Sequence, residues 1–187
     1  MEVKFSHTEA PAPKPIVFEQ IFAEKPGGGL LANHPFDVKE GMAAYLNANG
    51  KYQVIKAAII YEDAESGATT IKVKKGSGIV VNDILAIGNK AAKVTKVTST
   101  EAIYDVLTIT LGVAVKAGNV LYQANAVADG TTAQAALPGV PVYLVGDDVP
   151  ADSGDFMVKL VNGANVRKET APVADEVVAQ MKGISKV

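Results

Sequence analysis

Two stretches in the middle of the chain repeat one short pattern. Residues 69–85 read TTIKVKKGSGIVVNDIL and residues 106–121 read VLTITLGVAVKAGNVL. Each is an alternating strand, a glycine break, a Val-containing turn, a polar Asn-Asp or Gly-Asn pair and the start of an apolar strand. Alternation with a period of two fits a strand with one buried face. A duplicated strand–turn–strand unit is a common way to build a small β-barrel. Neither copy carries a set of catalytic side chains, so the repeat points to a scaffold or binding role.

Composition narrows the classes. The 187 residues are 48% hydrophobic and 20% charged, an ordinary globular balance. A net charge of −2 offers no basic face for phosphates, which argues against a nucleic-acid partner. Lys72, Lys74, Lys75, Lys90, Lys93 and Lys96 cluster, but their spacing on strands reads as a solvated β-face. The chain has no cysteine, which excludes disulfides, thiolate metal sites and a Cys nucleophile. The opening MEVKFSHTEAPAPKP lacks the apolar core of a signal peptide, and no apolar run reaches the roughly 18 residues of a membrane span.

Residues 1–35 read as an extended arm. Pro11, Pro13 and Pro15 favour extended backbone, Ile16, Val17, Phe18, Ile21 and Phe22 form a sticky segment, and Gly27–Gly29 a hinge. The sticky segment is too short for a core of its own and should pack on the body or on a partner. Residues 41–58 read as a β-hairpin, with Ala44 to Leu46 outgoing, a type I′ turn at Asn49-Gly50, and Lys51 to Ile55 returning. Residues 124–139 read as loop, 140–145 and 156–161 as strands, and 147–155 as an acidic loop. One helix is expected at the C-terminus, capped at Thr170 or Ala171 and ended by Gly183, with Val173, Val177 and Met181 on one face beside Val178. That face should dock on a sheet or on copies of itself.

Candidate chemistry is sparse. His7 and His34 are the only histidines, and neither has a partner in view to act as a general base. Asp147, Asp148, Asp152 and Asp155 supply Ca²⁺-type ligands, but their spacing is not that of an EF-hand, and Asx-turns are the plainer reading. Gly27–Gly29 is not a P-loop, and Gly76-Ser77-Gly78 is a strand break rather than a nucleophile elbow. Tyr45, Tyr52, Tyr61, Tyr104, Tyr122 and Tyr143 fall mostly in expected strands, where packing outweighs sugar binding in a chain without Trp. No catalytic residue, metal or cofactor is expected.

Three segments carry a family resemblance. KEGMAAYLNANGKY (39–52) looks like the hairpin of phage head decoration proteins. GVPVYLVGDDVPADSGDFMVKLVNGANV (139–166) is similar to their apolar strand, acidic Asp-Val loop, Gly-Asp and turn-ended strand. The close at Lys182-Gly183-Ile184 is again like theirs. The chain thus resembles the head decoration and head fibre proteins of tailed bacteriophages. It departs from the small members by inserting the repeat region.

The resemblance implies a mostly β protein, with a decoration-like base from 36–58 and 125–187, an inserted β-barrel at 59–124, the arm at 1–35 and one C-terminal helix. It implies a non-enzymatic homotrimer on the outer capsid surface of a virion, with the major capsid protein as partner and a host-surface glycan as a further contact. Val17, Phe18, Ile21 and Phe22 would be the capsid or subunit anchors, and Val173, Val177 and Met181 an oligomer contact. The competing class is a stand-alone carbohydrate- or cell-surface-binding β-module that uses Tyr61 or Tyr104.

Overall fold

The computed structural model describes residues 14–187. Its strands are, in order, β1 (Phe18–Glu24), β2 (Gly29–Leu31), β3 (Ala43–Leu46), β4 (Tyr52–Val54), β5 (Ala57–Ile59), β6 (Thr70–Lys74), β7 (Ile84–Ile87) and β8 (Lys90–Lys93). There follow β9 (Lys96–Thr98), β10 (Tyr104–Thr108), β11 (Val120–Gln123), β12 (Ala128–Asp129), β13 (Tyr143–Val145), β14 (Phe156–Val158), β15 (Leu160–Val166), helix α1 (Asp175–Val178) and β16 (Ile184–Lys186). The fold is mostly β with one short C-terminal helix, the class the sequence led to.

The base is one curled sheet in the order β1-β15-β13-β3-β4-β2-β14, with β16 parallel to β15. Only Lys159 separates β14 from β15, so the far end of the sheet returns to its beginning. The curl wraps a core that includes Leu31, Met42, Val54, Val145 and Leu160. The β3–β4 hairpin forms where its turn residues placed it, with Ala44 opposite Val54 and Leu46 opposite Tyr52. The turn differs from type I′, which needs φ > 0 at two consecutive residues. Here only Gly50 is left-handed, at φ 74°. The Asn47 Oδ1 accepts the N–H groups of Asn49 (2.9 Å) and Lys51 (3.1 Å), and this Asx interaction selects a three-residue loop.

The expected arm is, over its described part, base sheet. β1 pairs with β15 and β2 with both β14 and β4. The alternation that made 16–22 look sticky is strand alternation, and residues 160–166 supply the partner. The expected hinge is a packed turn. The Gly28 N–H donates to the Lys25 carbonyl at 3.0 Å, and a Cβ on Gly28 would lie 2.4 Å from the Val158 carbonyl oxygen. Residues 1–13, with His7 and two of the three arm prolines, lie outside the described residues.

The repeat has an internal two-fold arrangement. β6 pairs antiparallel with β10 and β7 with β11. Ile71 faces Leu107 and Ala86 faces Tyr122, and the members of each pair stand 36 residues apart, so equivalent positions meet on the axis. The two tight turns match bond for bond. Asp83 accepts from the Val80 N–H at 2.9 Å and Asn119 from the Lys116 N–H at 3.1 Å. Asn82 (φ 77°) and Gly118 (φ 85°) hold the same left-handed corner. The unit is larger than the sequence repeat, because each copy also has a leading strand. Ile60 donates to the Asn119 carbonyl as Val94 does to that of Asp83, each at 2.8 Å. Those strands, around AAII and AAKV, share too little sequence to be noticed.

The inserted unit runs from β5 to β12, wider than 59–124 at both ends, since β5 pairs with β11 and β12 with β8. It comprises a three-stranded sheet, β6-β10-β9, and a five-stranded one, β12-β8-β7-β11-β5. The five-stranded sheet is buried on both faces. Ala58, Leu85 and Leu121 face a core shared with Ile71, Val73 and Leu107 of the smaller sheet. Their neighbours Ala57, Ala86 and Tyr122 face a second core shared with Leu144, Val161 and Val177 of the base. Two-sided burial explains why these strands are runs of apolar residues rather than alternations. The insert is therefore packed into the base rather than raised on it.

At the C-terminus the expected helix shortens to one turn. Gly183 passes so close to the base that a Cβ would lie 2.0 Å from the Asn162 carbonyl oxygen. The chain there becomes β16, beside Ala164–Val166.

Candidate functional site

The expected contact residues separate into buried and available groups. Val17 is buried, Phe18 and Ile21 are half-buried against the same core, and Phe22 is 59% exposed. Of the four expected anchors, Phe22 alone points substantially into solvent. Val173, Val177 and Met181 are corrected more sharply. All three are buried in the core between the base and the insert, so they hold this chain together and present nothing to another copy.

Among the described residues β1 is an edge strand, but a guarded one. Its pairing with β15 is interrupted by register shifts at three places. Glu19 pairs with Arg167, and Glu24 lies 3.6 Å from Lys159. Bulges and charges discourage strand addition at an edge. The apolar side chains left exposed on this sheet include Phe22, Leu30, Phe156 and Met157, with Leu30 directly opposite Met157 in the β2–β14 register. Leu46, Val140 and Val142 are also exposed, around the end of β3 and the approach to β13.

The acidic loop staples the base. Asp147 accepts from the Lys159 N–H at 2.6 Å, and Asp148 from the Glu40 N–H at 2.8 Å while pairing with Lys14 at 3.0 Å. Asp155 accepts from the Asn33 N–H and pairs with Lys51 at 2.5 Å, which holds its carboxyl below the usual range. Asp152 is a left-handed corner at φ 54°. Among the described residues no three His, Asp or Glu side chains converge as a metal site.

His34 is buried, and its Nε2 accepts the Val54 N–H at 3.1 Å. Its proton therefore sits on Nδ1, which has no partner among the described residues. Desolvation, helped by the charge of Lys56, pushes its pKa down. No nucleophile among the described residues touches it, and the ring acts as a structural acceptor. Lys56 itself pairs with Asp83 at 2.6 Å in a largely buried contact that ties the base to the first repeat turn.

The tyrosines divide by role. Tyr52 and Tyr143 meet edge to face at 5.5 Å inside the curl, and the Tyr122 hydroxyl donates to the Gly88 carbonyl at 2.7 Å. Burial pushes the Tyr122 pKa up to about 12. Tyr61 and Tyr104 stack at 5.1 Å and 29° at the outer side of the three-stranded sheet. Lys72 lies 5.0 Å over Tyr104 and 2.7 Å from Glu62.

Several pockets form where the insert meets the base, two of them of about 660 and 340 Å³. The larger, about 660 Å³, has among its charged lining Lys186 paired with Asp175, Lys90 with the Gly112 carbonyl, and Glu176 with the Gly88 N–H, and beside them Lys168 and Glu169. The smaller, about 340 Å³, has an apolar floor of Val17, Met42, Ala57, Ile59 and Pro172, and Lys39 and Ser77 at its wall. Gly76 and Ser77 of Gly76-Ser77-Gly78, which reads in sequence as a mere strand break, thus line this pocket. The signal was in the repeat: where this copy has Lys75-Gly76-Ser77-Gly78, its sibling has Leu111-Gly112-Val113-Ala114.

Comparison with protein-family models, with curated proteins and with solved structures finds no match to this chain.

Proposed function

We propose that this chain is a non-enzymatic virion protein of a tailed bacteriophage, bound to the outside of the capsid as a head fibre or decoration protein. The observation that supports this reading is the meeting of the two segments that carry the resemblance. β3 and β4 of 39–52 join β13 of 139–166 in one sheet, although the whole repeat lies between them in sequence. Asp148 of the second segment clamps the Glu40 N–H of the first. Chain leaves after β4 and returns at β13, the two neighbours of β3, so the insertion points are close and the base closes around them.

Docking in this reading uses the side chains left exposed on the base sheet, Phe22, Leu30 and Met157, on the shell of the major capsid protein. Assembly as a homotrimer multiplies weak contacts into avidity. Its subunit interface lies away from Val173, Val177 and Met181. The test is co-sedimentation with capsid shells. Phe22→Asp combined with Met157→Asp should reduce shell binding at least tenfold while the protein stays folded, because charge on an apolar contact is strongly unfavourable. Undiminished binding by the double variant would remove this docking face.

The stacked Tyr61–Tyr104 pair favours a second reading, contact with a cell-surface glycan, since partly exposed aromatic rings offer a face for sugar C–H groups. Tyr61→Ala should abolish retention on host-surface polysaccharide under this reading, and unchanged retention would dismiss it.

A further inference from the structure

We infer that the Asn49-Gly50 turn is a site of self-modification, where Asn49 converts to aspartate and isoaspartate through a cyclic imide. This inference is independent of the capsid reading. In such a reaction the backbone nitrogen after an asparagine attacks the side-chain amide carbon. A C–N bond closes the imide ring, and the amide nitrogen leaves as ammonia, carrying off the proton. Water then opens the ring at either carbonyl, giving aspartate or isoaspartate. A glycine in the second position favours the attack, because it has no side chain in the way and turns freely.

The sequence holds three dipeptides of this reactive kind, Asn49-Gly50, Asn162-Gly163 and Asp129-Gly130, and the fold separates them. Asn49 and Gly50 are both exposed at the tip of the β3–β4 hairpin, and no atom lies within 4 Å of the place a Gly50 Cβ would take. The Gly50 N–H is held from within the turn, by the Asn47 carbonyl at 3.1 Å. Opening that one bond frees the peptide to rotate toward the Asn49 amide.

Asn162-Gly163 lies inside β15. Asn162 is exposed, so its amide is as open to attack as that of Asn49, but the attacking peptide cannot turn. Gly163 is buried opposite Ala23, whose Cβ would lie 2.7 Å from a Gly163 Cβ. A Cβ on Gly183 would lie 2.0 Å from the Asn162 carbonyl oxygen. β1 pairs across this dipeptide, β13 just before it and β16 just after it.

Asp129-Gly130 is closed chemically, since an aspartate cyclises through its neutral acid. The Asp129 Oδ1 accepts the N–H groups of Ala133, Thr131 and Thr132 at 3.0, 2.8 and 2.9 Å, and these bonds hold the carboxyl down at about 2. The Gly130 N–H is itself committed to the Ala133 carbonyl at 2.8 Å. At position 49 the isoaspartate product routes the main chain through the former side chain. The lengthened loop no longer matches the staple that Asn47 Oδ1 makes to the Asn49 and Lys51 N–H groups, so the hairpin should loosen.

The experiment incubates the full chain for several weeks at about pH 8, folded and in parallel in urea, and maps its peptides by mass spectrometry. Conversion of asparagine raises a peptide's mass by about one unit, and electron-transfer fragmentation tells isoaspartate from aspartate. In urea Asn49 and Asn162 should convert at similar rates. In the folded chain Asn49 should convert at least about tenfold faster than Asn162, and Asp129 should gain no isoaspartate. Equal rates for Asn49 and Asn162 in the folded chain, or an Asn49 that stays intact there, would overturn the inference. An Asn162 equally slow in urea would overturn it too, because neighbouring residues and not the fold would then set the difference.

Discussion

His34 holds the β4 backbone through a bond that only its neutral form can make. Nε2 accepts the Val54 N–H, and protonation would set one N–H against another. Burial disfavours an imidazolium, and the Ala32 backbone, which favours it, does not make up the difference. Phe36 meets the ring edge to face at 5.2 Å, and Lys56 is the charge that acts on it, itself paired with Asp83. Asp152 touches His34 through its backbone, its N–H donating to the His34 carbonyl. The folded-state pKa is depressed, so the unfolded chain binds the proton more readily. Stability from this group is full above the ordinary value of 6.5 and is lost as pH falls from there through the folded pKa. Urea midpoints from about pH 8 down to about pH 5 should therefore drop for the native chain and drop less for His34→Gln, whose amide oxygen can accept the same N–H without titrating. Equal slopes for the two would show that His34 is not the titrating group. Nothing in the sequence marked this histidine, because its partner is a backbone N–H twenty residues away.

The β3–β4 hairpin was legible in place and not in detail. Asn49-Gly50 signalled a turn, while the side chain that shapes it, Asn47, lies outside that dipeptide. Gly50→Ala meets no atom within 4 Å, so its whole effect is the backbone strain of φ 74°, about 1–2 kcal/mol by denaturant unfolding. A loss under a few tenths would mean that the turn relaxes to another type. β1 was misplaced for a different reason. An isolated strand with its partner more than a hundred residues away looks like an arm, because sequence displays the donor edge without the acceptor. Truncation separates the two views. Removing residues 1–29 takes away β1 and the first residue of β2 and should collapse the base. A fully folded 1–29 deletion would contradict a structural role for β1.

The base and the insert share a core, so the molecule should unfold in one step. Leu121, on the twice-covered sheet, is fully buried in the core between the two sheets of the insert. Leu121→Ala should lower the stability of a single transition by about 2–5 kcal/mol. Two separable transitions, with only one affected, would show that the insert is an independent domain. Sequence made the duplication visible through its glycines and its Asn-Asp and Gly-Asn corners, which a turn cannot change freely. It concealed the leading strands and the shared core, because a strand buried on both faces loses its alternation and small residues such as Ala57, Ala58 and Ala86 carry no pattern. The pocket at Ser77 lies on the same seam and was hidden with it.

The most direct measurement for the functional proposal is co-sedimentation of the purified chain with assembled capsid shells of a tailed bacteriophage. Saturable binding at a fixed number of copies per shell, lost in the Phe22→Asp, Met157→Asp variant, is the expected result. Absence of binding to intact shells by the folded native chain would contradict it.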